Sequence, residues 1–257
     1  MDKEKVLLYD GCFSGFLTSV FIAFEKKIKV VDIQRKNQVQ KGLFTETQII
    51  LTQLYKAKRV WNGISQRSNI AMKNIYFAFL SETDGIEQLL YAYIQKIVTD
   101  KSFNPTLMTD DIVFKINNLA KAVGKKKNQM EAFMKFKVSK DGVHFIIAEP
   151  EYDLLPLVSK HFRSHFSDRQ WVIYDIKRNY GLFFDLHTIQ LISLDSKDIF
   201  ANANSINGLL SENTNNPIDL WNNYFAGNSI KYLIEHKLHT HQMPKQRQNY
   251  QKEKEAV

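Results

Sequence analysis

The stretch Phe133–Ala148 reads FMKFKVSKDGVHFIIA, and its apolar pattern is the clearest guide to the fold class. Residues 133–138 mix apolar side chains with lysine at a spacing close to two, and the apolar run 144–148 follows the dipeptide Asp141-Gly142. A period of two is typical of a half-buried strand, whereas a helix repeats every three to four residues. Two strand-like runs about a glycine-containing turn therefore predict a β-hairpin.

Similar runs on the C-terminal side predict that the sheet continues. Residues 171–174 and 182–184 flank a polar turn and predict a second hairpin, and residues 189–194 predict a further strand. Residues 154–166 lie between the two hairpins and have helical spacing. This half of the chain is thus expected to be mainly antiparallel sheet.

The N-terminal half carries short apolar runs separated by segments with helical spacing. Strands are predicted over residues 5–9, 28–33 and 47–51, and helices over residues 13–26, 52–66, 68–81, 85–99 and 109–123. Two further short helices are predicted within residues 217–236. Together these elements predict an α+β fold, in which a mixed, mainly antiparallel sheet with β-hairpins is packed by several helices.

The predicted domain organisation is one large unit with a C-terminal extension. Residues 1–200 are expected to form the α+β core domain, and residues 201–244 a helical extension that begins with a segment rich in asparagine and serine. Residues 245–257 are polar and basic, which predicts a disordered tail.

Composition points to a cytoplasmic protein with a polyanionic partner. The formal net charge is +8 and the isoelectric point is near 9.3, which favours nucleic acid or another polyanion as a partner. The single cysteine, Cys12, excludes an internal disulfide and any cysteine-rich metal cluster held by this chain alone. No apolar segment is long enough for a membrane span, and the N-terminus lacks a signal-peptide pattern, so we expect no membrane association.

The usual catalytic signatures are absent from the sequence. It contains no GxGxxG motif after the first strand, no Walker A motif, no GxSxG motif and no HExxH motif. His161 and His165 are four residues apart on a predicted helix, which suits two ligands of one metal ion, but no third ligand is evident. We therefore predict no metal site and no cofactor, and the sequence favours a protein that is not itself an enzyme.

Acidic side chains near predicted strand ends are candidates for chemistry. Asp10 follows the first strand, where open α/β proteins often place functional groups, although an aspartate there can equally cap the next helix. Asp175 and Asp185 flank the second hairpin and could face each other as ligands of Mg²⁺. Asp10, His161 and Asp175 are the candidate catalytic residues.

The tip of the second hairpin is the candidate nucleic-acid contact. Lys177 and Arg178 could pair with phosphates, and Tyr180 could stack on an unpaired base. The alternative is a solvated turn in which Tyr180 packs on the sheet. Residues 125–127 form a second lysine cluster, which is expected to lie in a solvated loop.

Four regions of the chain, in the same order, resemble a known family. They are Tyr9-Asp10-Gly11 with Phe13–Leu17; Arg59–Trp61 with Gly63, Ala78–Glu82 and Gly85–Glu87; Phe133–Phe136, Glu149-Pro150, Leu154–Leu157, His161-Phe162, Trp171–Asp175, Lys177-Arg178 and Tyr180-Gly181; and Leu220–Asn222, Tyr224-Phe225 and Gln242–Lys245. This pattern is similar to an uncharacterised bacterial family of DNA metabolism proteins, a domain of unknown function. The chain departs from the family after Lys245, where relatives continue with an aromatic-rich segment.

The resemblance implies a context for the protein but no reaction. Members of the family look like partners of a radical-SAM protein that modifies or repairs DNA, and similar domains occur fused to uracil-DNA-glycosylase-like domains. The resemblance transfers no catalytic residue to this chain. The iron–sulfur cluster of the radical-SAM reaction would belong to the partner, because this chain has one cysteine.

These observations favour a DNA-binding accessory module that presents DNA to the radical-SAM partner. One alternative is an enzyme that acts on DNA through the acidic and imidazole side chains named above. Another is a protein-interaction subunit without direct DNA contact, whose exposed aromatic residues would form an apolar docking patch.

Overall fold

The computed structural model describes residues 4–36, 46–100, 102–194, 217–236 and 238–239. The chain divides into two compact units between Gly124 and Lys125, inside one long helix. The sequence instead suggested a single core that extends to residue 200. Apolar periodicity marks helices and strands, but it does not show which of them share a core, so this division could be seen only in three dimensions.

In its described residues, the first unit contains a small parallel sheet and five helices, the last of which continues into the second unit. Its elements are β1 (Glu4–Tyr9), α1 (Phe13–Glu25), β2 (Lys29–Arg35), β3 (Glu46–Ile49), α2 (Leu54–Arg67), α3 (Asn69–Phe79), α4 (Ile86–Thr99) and α5 (Asp111–Phe133). The strand order is β2-β1-β3, and both neighbours run parallel to β1. The carboxyl ends of the three strands therefore lie at one edge of the sheet.

The core of the first unit is built around β1 and α1. Leu7 and Tyr9 on the central strand are buried, as are most residues of α1. The ring of Phe13 lies 5.0–5.2 Å from the rings of three aromatic residues on the following helices, namely Trp61, Tyr76 and Phe79. The aromatic residues that produced the helical spacing in the sequence thus form one cluster between helices.

The second unit contains both predicted hairpins, but the first strand of the first hairpin covers only Lys137–Val138 and not residues 133–138. Its further elements are β4 (Lys137–Val138), β5 (His144–Ala148), α6 (Leu155–His165), β6 (Trp171–Asp175), β7 (Tyr180–Phe184), β8 (Ile189–Leu194), α7 (Pro217–Gly227), α8 (Ile230–His236) and β9 (Leu238–His239). Strands β4 to β8 are neighbours in chain order, and β9 pairs with the outer edge of β8. All these pairs are antiparallel except β5 with β6, which α6 connects. The predicted α+β class is confirmed.

Alternating side chains of this sheet are buried on both of its faces. On one face, α7 and α8 cover a cluster formed by Val143, Phe145, Ile147, Val172, Tyr174, Phe183, Ile192, Trp221, Tyr224, Phe225, Ile230 and Leu233. On the other face, Trp171 stacks on Phe184 with ring centroids 5.4 Å apart and packs against Phe162 of α6. Burial on both faces explains why β6 and β7 read as continuous apolar runs.

Several predictions differ from the structure or lie outside it. Helix α5 does not end near residue 123, so the lysines at 125–127 lie on a helix and not in a loop. The predicted linker at 201–216 and the predicted tail at 245–257 lie outside the described residues. In the part of the chain that the structure describes, every helix is too short or too polar to cross a membrane.

Candidate functional site

The tip of the β6–β7 hairpin is tied to the loop before α6 by Arg178. Guanidinium Nη1 lies 2.8 Å from Oδ2 of Asp175 and donates to the carbonyl oxygen of Pro150 at 3.0 Å. Nη2 donates to the carbonyl oxygen of Glu151 at 3.1 Å. Burial raises the pKa of the Asp175 carboxyl, although Arg178 opposes this effect. Arg178 therefore faces a buried carboxylate and also fixes the backbone of two consecutive loop residues.

The other two residues of the predicted contact are also held by the protein. Tyr180 is only 2% exposed, and its hydroxyl donates a hydrogen bond to the buried carboxylate of Asp153. Lys177 is exposed, and its Nζ donates to the carbonyl oxygen of Glu151 at 3.2 Å. The Tyr180 ring packs in the sheet, as in the alternative that the sequence left open, so it cannot stack on a base in this conformation. Contact of Lys177 or Arg178 with nucleic acid stays a prediction.

Asp175 and Asp185 do not face each other. The register of β6 and β7 pairs Asp175 with Tyr180 and Trp171 with Phe184, so Asp185 follows the opposite end of the hairpin. At roughly 3.4 Å per residue, the two carboxylates are separated by about five residue steps, on the order of 17 Å. Asp185 instead accepts hydrogen bonds from the turn that follows it. The hypothesis that this pair holds Mg²⁺ is wrong.

His161 lies on α6 beside the end of α5. Its Nδ1 is 4.0 Å from Oε1 of Glu131, and its ring stacks on His165 with centroids 4.1 Å apart. The contacts of His161 thus involve α5 and α6, whereas those of Asp175 involve the hairpin tip. Among the residues that the structure describes, no group of three or more His, Cys, Asp or Glu side chains is arranged to hold a metal ion.

Asp10 lies at the carboxyl edge of the parallel sheet in the first unit. Its Oδ1 accepts a hydrogen bond from the backbone N–H of Cys12 at 3.1 Å, and its Oδ2 accepts one from the hydroxyl of Thr52 at 2.8 Å. Thr52 follows β3, so the carboxylate joins the ends of two neighbouring strands. Asp10 therefore stabilises the turn before α1. Asp10 is also exposed to solvent.

The turn after Asp10 is closely packed. Cys12 caps α1, because its Sγ accepts a hydrogen bond from the backbone N–H of Gly15 at 3.1 Å. Burial, helped by Asp10, raises the pKa of the Cys12 thiol to about 12, so the thiol is protonated at neutral pH. A β-carbon on Gly15 would lie 2.3 Å from Oδ1 of Asp10 and 2.8 Å from Oγ1 of Thr52, so only glycine fits without a shift.

A mostly buried ionic network in the first unit could not be inferred from the sequence. Nε of Arg35 lies 2.8 Å from Oε1 of Glu87, and the hydroxyl of Tyr9 donates to the same oxygen at 2.7 Å. Burial is the main reason that the pKa of Tyr9 is raised. Since Arg35 and Tyr9 are 52 and 78 residues from Glu87 in the chain, local patterns carry no signal of the network.

Much of the net positive charge of the chain lies in residues 125–140, which we call the basic segment. These 16 residues contain six lysines and one glutamate, a net charge of +5 compared with +8 for the whole chain. Lys125, Lys126, Lys135, Lys137 and Lys140 are exposed. Lys127 lies 2.5 Å from the glutamate, Glu131, and Lys126 lies 3.1 Å from Glu151. The segment belongs entirely to the second unit.

Two phenylalanines of the basic segment lie in different surroundings. Phe133 is 76% exposed at the end of α5. Phe136 packs edge to face against Phe162 and Phe166, with ring centroids 5.7 Å and 4.9 Å apart. The mixture of phenylalanine and lysine at 133–138 is evident in the sequence and predicted a strand. It did not show which of the two phenylalanine rings would remain exposed to solvent.

An exposed apolar cluster lies in the first unit, where β3 leads into α2. Ile49 is 61%, Leu51 is 72% and Tyr55 is 62% exposed, and Leu54 is also exposed. Four large apolar side chains within seven residues are more than the single exposed residues that are common on protein surfaces. This cluster, residues 49–55, overlaps the predicted strand at 47–51, and its exposure was not evident from the sequence.

Comparisons with known proteins connect the chain to a family. A comparison with curated protein sequences found no match. The crystal structure of RecJ in complex with Mg²⁺ from Thermus thermophilus is similar at 10% identity and a TM-score of 0.33, covering 80% of this chain and 44% of that one. The family model of a domain of unknown function, DUF4130, matches residues 84–253, about two thirds of the chain. The chain therefore belongs to the DUF4130 family.

Proposed function

We propose that this protein is a DNA-binding accessory module that acts in DNA modification or repair. The observation that carries the proposal is the basic segment, which places five exposed lysines within 16 residues of one unit. Lysine side chains that neutralise phosphates release condensed counterions, and this release supplies much of the affinity of proteins for DNA. A charge that is gathered on one segment favours a polyanion more than a charge spread evenly over the surface.

The family resemblance supplies the proposed context. A radical-SAM protein would carry out the chemistry, and this chain would hold and present the DNA. The only cysteine, Cys12, caps a helix with a protonated thiol, which is a structural role and suits an accessory subunit. The fusion of similar domains to uracil-DNA-glycosylase-like domains suggests DNA that carries a damaged or modified base.

The proposal is tested by fluorescence anisotropy with labelled single-stranded, duplex and uracil- or mismatch-bearing DNA, titrated over a range of salt concentrations. We expect affinity to fall steeply as salt rises. The double variant Lys135→Glu/Lys137→Glu should bind more weakly, and its slope of log K against log salt should decrease in magnitude by about 1.4 to 1.8, since each phosphate contact contributes about 0.7 for single strands and about 0.9 for duplex.

A matched control distinguishes the effect of the basic segment on DNA binding from the effect of the net charge of the protein. Lys26 and Lys115 are exposed residues of the first unit, and the variant Lys26→Glu/Lys115→Glu changes the net charge of the protein by the same amount. We expect this control to keep the salt slope of the wild-type protein. Absence of binding at about 50 mM salt would overturn the proposal, because phosphate contacts are strongest at low salt. Equal losses in both double variants would also overturn it.

The exposed cluster at residues 49–55 supports a second role, docking of the protein partner. Its large apolar side chains could be buried against the radical-SAM protein that the resemblance implies. Calorimetric titration of that purified partner should give binding that Leu51→Glu abolishes. Val98→Glu is the control, since Val98 is also exposed and lies on α4 of the same unit. Equal binding by both variants would exclude residues 49–55 as the docking surface.

A further inference from the structure

We propose that Phe133 is a stacking platform for an unpaired base, so that the basic segment binds DNA as a single strand. This inference rests on the proposed DNA-binding function and names the form of DNA that is bound. An exposed aromatic face among lysines is the combination by which proteins bind single strands, because the ring stacks on a base while the cations follow the backbone. Phe133 is 76% exposed, so its ring is available to a ligand.

The protein holds the backbone of Phe133 in place from both sides. On the N-terminal side, Phe133 is the last residue of the 23-residue helix α5. On the C-terminal side, Phe136 is anchored against Phe162, Phe166 and Trp171, with ring centroids 4.9–6.4 Å apart. A backbone position that is fixed before binding reduces the conformational entropy that is lost when the ligand arrives. The packing of Phe136 thus supports the exposure of Phe133.

The lysines lie within reach of a strand that stacks on Phe133. Lys135 and Lys137 follow by two and four residues, so their Cα atoms are at most about 7 Å and about 14 Å away. On α5, residues 125, 129 and 133 are spaced by four and share one face, and Lys125 precedes Phe133 by about 12 Å along the axis. Lysines therefore lie both before and after Phe133 in the chain. A single strand has a phosphate on each side of a stacked base, and these lysines could pair with both phosphates.

The arrangement favours a single strand over a duplex and over a protein partner. Bases inside a duplex are stacked on each other and offer no face to Phe133, so a duplex could use only the lysines. A protein docking surface of standard composition is depleted in lysine at its centre. The exposed ring of Phe133 is instead surrounded by a net charge of +5 within the basic segment.

The decisive experiment compares Phe133→Ala with the wild-type protein on a single strand and on the matching duplex. We expect a loss of about 10-fold in affinity for the single strand, within the range for one stacked base, and no change for the duplex. The salt slope should stay unchanged in Phe133→Ala, because the slope counts phosphate contacts and not stacking. Phe133→Trp should restore binding, and Met134→Ala, at an exposed neighbour, should have no effect.

The outcomes distinguish this inference from the proposed function. If the wild-type protein binds DNA with a steep salt dependence but Phe133→Ala changes single-strand and duplex affinity equally, the stacking platform is wrong and the DNA-binding function stands. If the wild-type protein binds neither form, the proposed function itself fails. If Phe133→Ala leaves DNA binding intact and abolishes binding of the purified radical-SAM partner, Phe133 is a protein contact and the inference is overturned.

Discussion

Nη1 of Arg178 lies 2.8 Å from Oδ2 of Asp175, a residue that is fully buried at the end of β6. The same guanidinium reaches the carbonyl oxygens of Pro150 and Glu151. Arg178, one of the two cations at the hairpin tip, therefore has a structural role. Any loss of DNA binding on its substitution must be judged against the stability of the variant.

We expect Arg178→Ala to lower the free energy of unfolding by about 3 kcal/mol, because removing one partner of a buried pair leaves the other charge uncompensated. Urea denaturation measures the change. Arg178→Lys should recover part of the loss, since lysine keeps the charge but cannot donate to three acceptors in a fixed geometry. Lys177→Ala, at the exposed neighbouring residue, should change stability by less than about 1 kcal/mol. A fully stable Arg178→Ala protein would contradict the structural role.

Tyr180→Phe tests the hydrogen bond between the Tyr180 hydroxyl and Asp153. Removing the hydroxyl takes one donor from a buried carboxylate, so we expect a loss of about 1–3 kcal/mol in thermal or urea unfolding. Tyr174→Phe is the matched control, because its hydroxyl donates to Asn179 in a partly exposed position at 2.7 Å. The control should be less destabilised. Equal losses in the two variants would show that burial of Asp153 is not the cause.

Asp141 gives the protein a defined dependence on acid. Burial would raise its pKa, but hydrogen bonds from the backbone N–H of Lys231 and from the hydroxyls of Ser139 and Ser229 outweigh burial and lower the pKa to about 2. Since this value lies below that of the unfolded chain, near 4, the stabilisation is complete above about pH 4 and is lost as the pH falls through about 2.

We therefore expect Asp141→Asn to be less stable than the wild-type protein at neutral pH by on the order of 1–2 kcal/mol. The difference should shrink as the pH falls from about 4 to about 2, because the wild-type carboxylate becomes protonated there. Urea unfolding at a series of pH values measures it. A difference that stays constant over this range would mean that the charge of Asp141 is not what stabilises the turn.

Gly15→Ala tests the close packing after β1. Helix propensity alone would favour alanine by about 1 kcal/mol, but the added β-carbon would meet Oδ1 of Asp10 at 2.3 Å. We expect a net loss of about 1–3 kcal/mol in the free energy of unfolding. Gly63→Ala is the control and should stabilise the protein, because a β-carbon added at this residue of α2 would meet no atom of the described residues within 4 Å.

A double-mutant cycle with Asp10→Ala then shows whether the carboxylate is the cause. Gly15→Ala should be less harmful in the Asp10→Ala background, since the nearest clashing atom has been removed. If the two effects simply add, the clash with Asp10 is not what requires glycine at residue 15.

The amino-acid sequence predicted the α+β class, both hairpins, most helices and the likeness to a family whose domain has no known function. These features depend on the order and spacing of side chains along the chain, and spacing is a local property. The tertiary structure was needed to show that α5 continues through the lysines to Phe133. It was also needed to show that Arg178 contacts the buried carboxylate of Asp175 and that Tyr180 contacts that of Asp153. Phe133 and Phe136 belong to one short run, yet among the described residues only Phe136 meets aromatic partners. A local pattern shows that a side chain can be buried, but whether it is buried depends on residues far away in the sequence that reach it only when the chain folds.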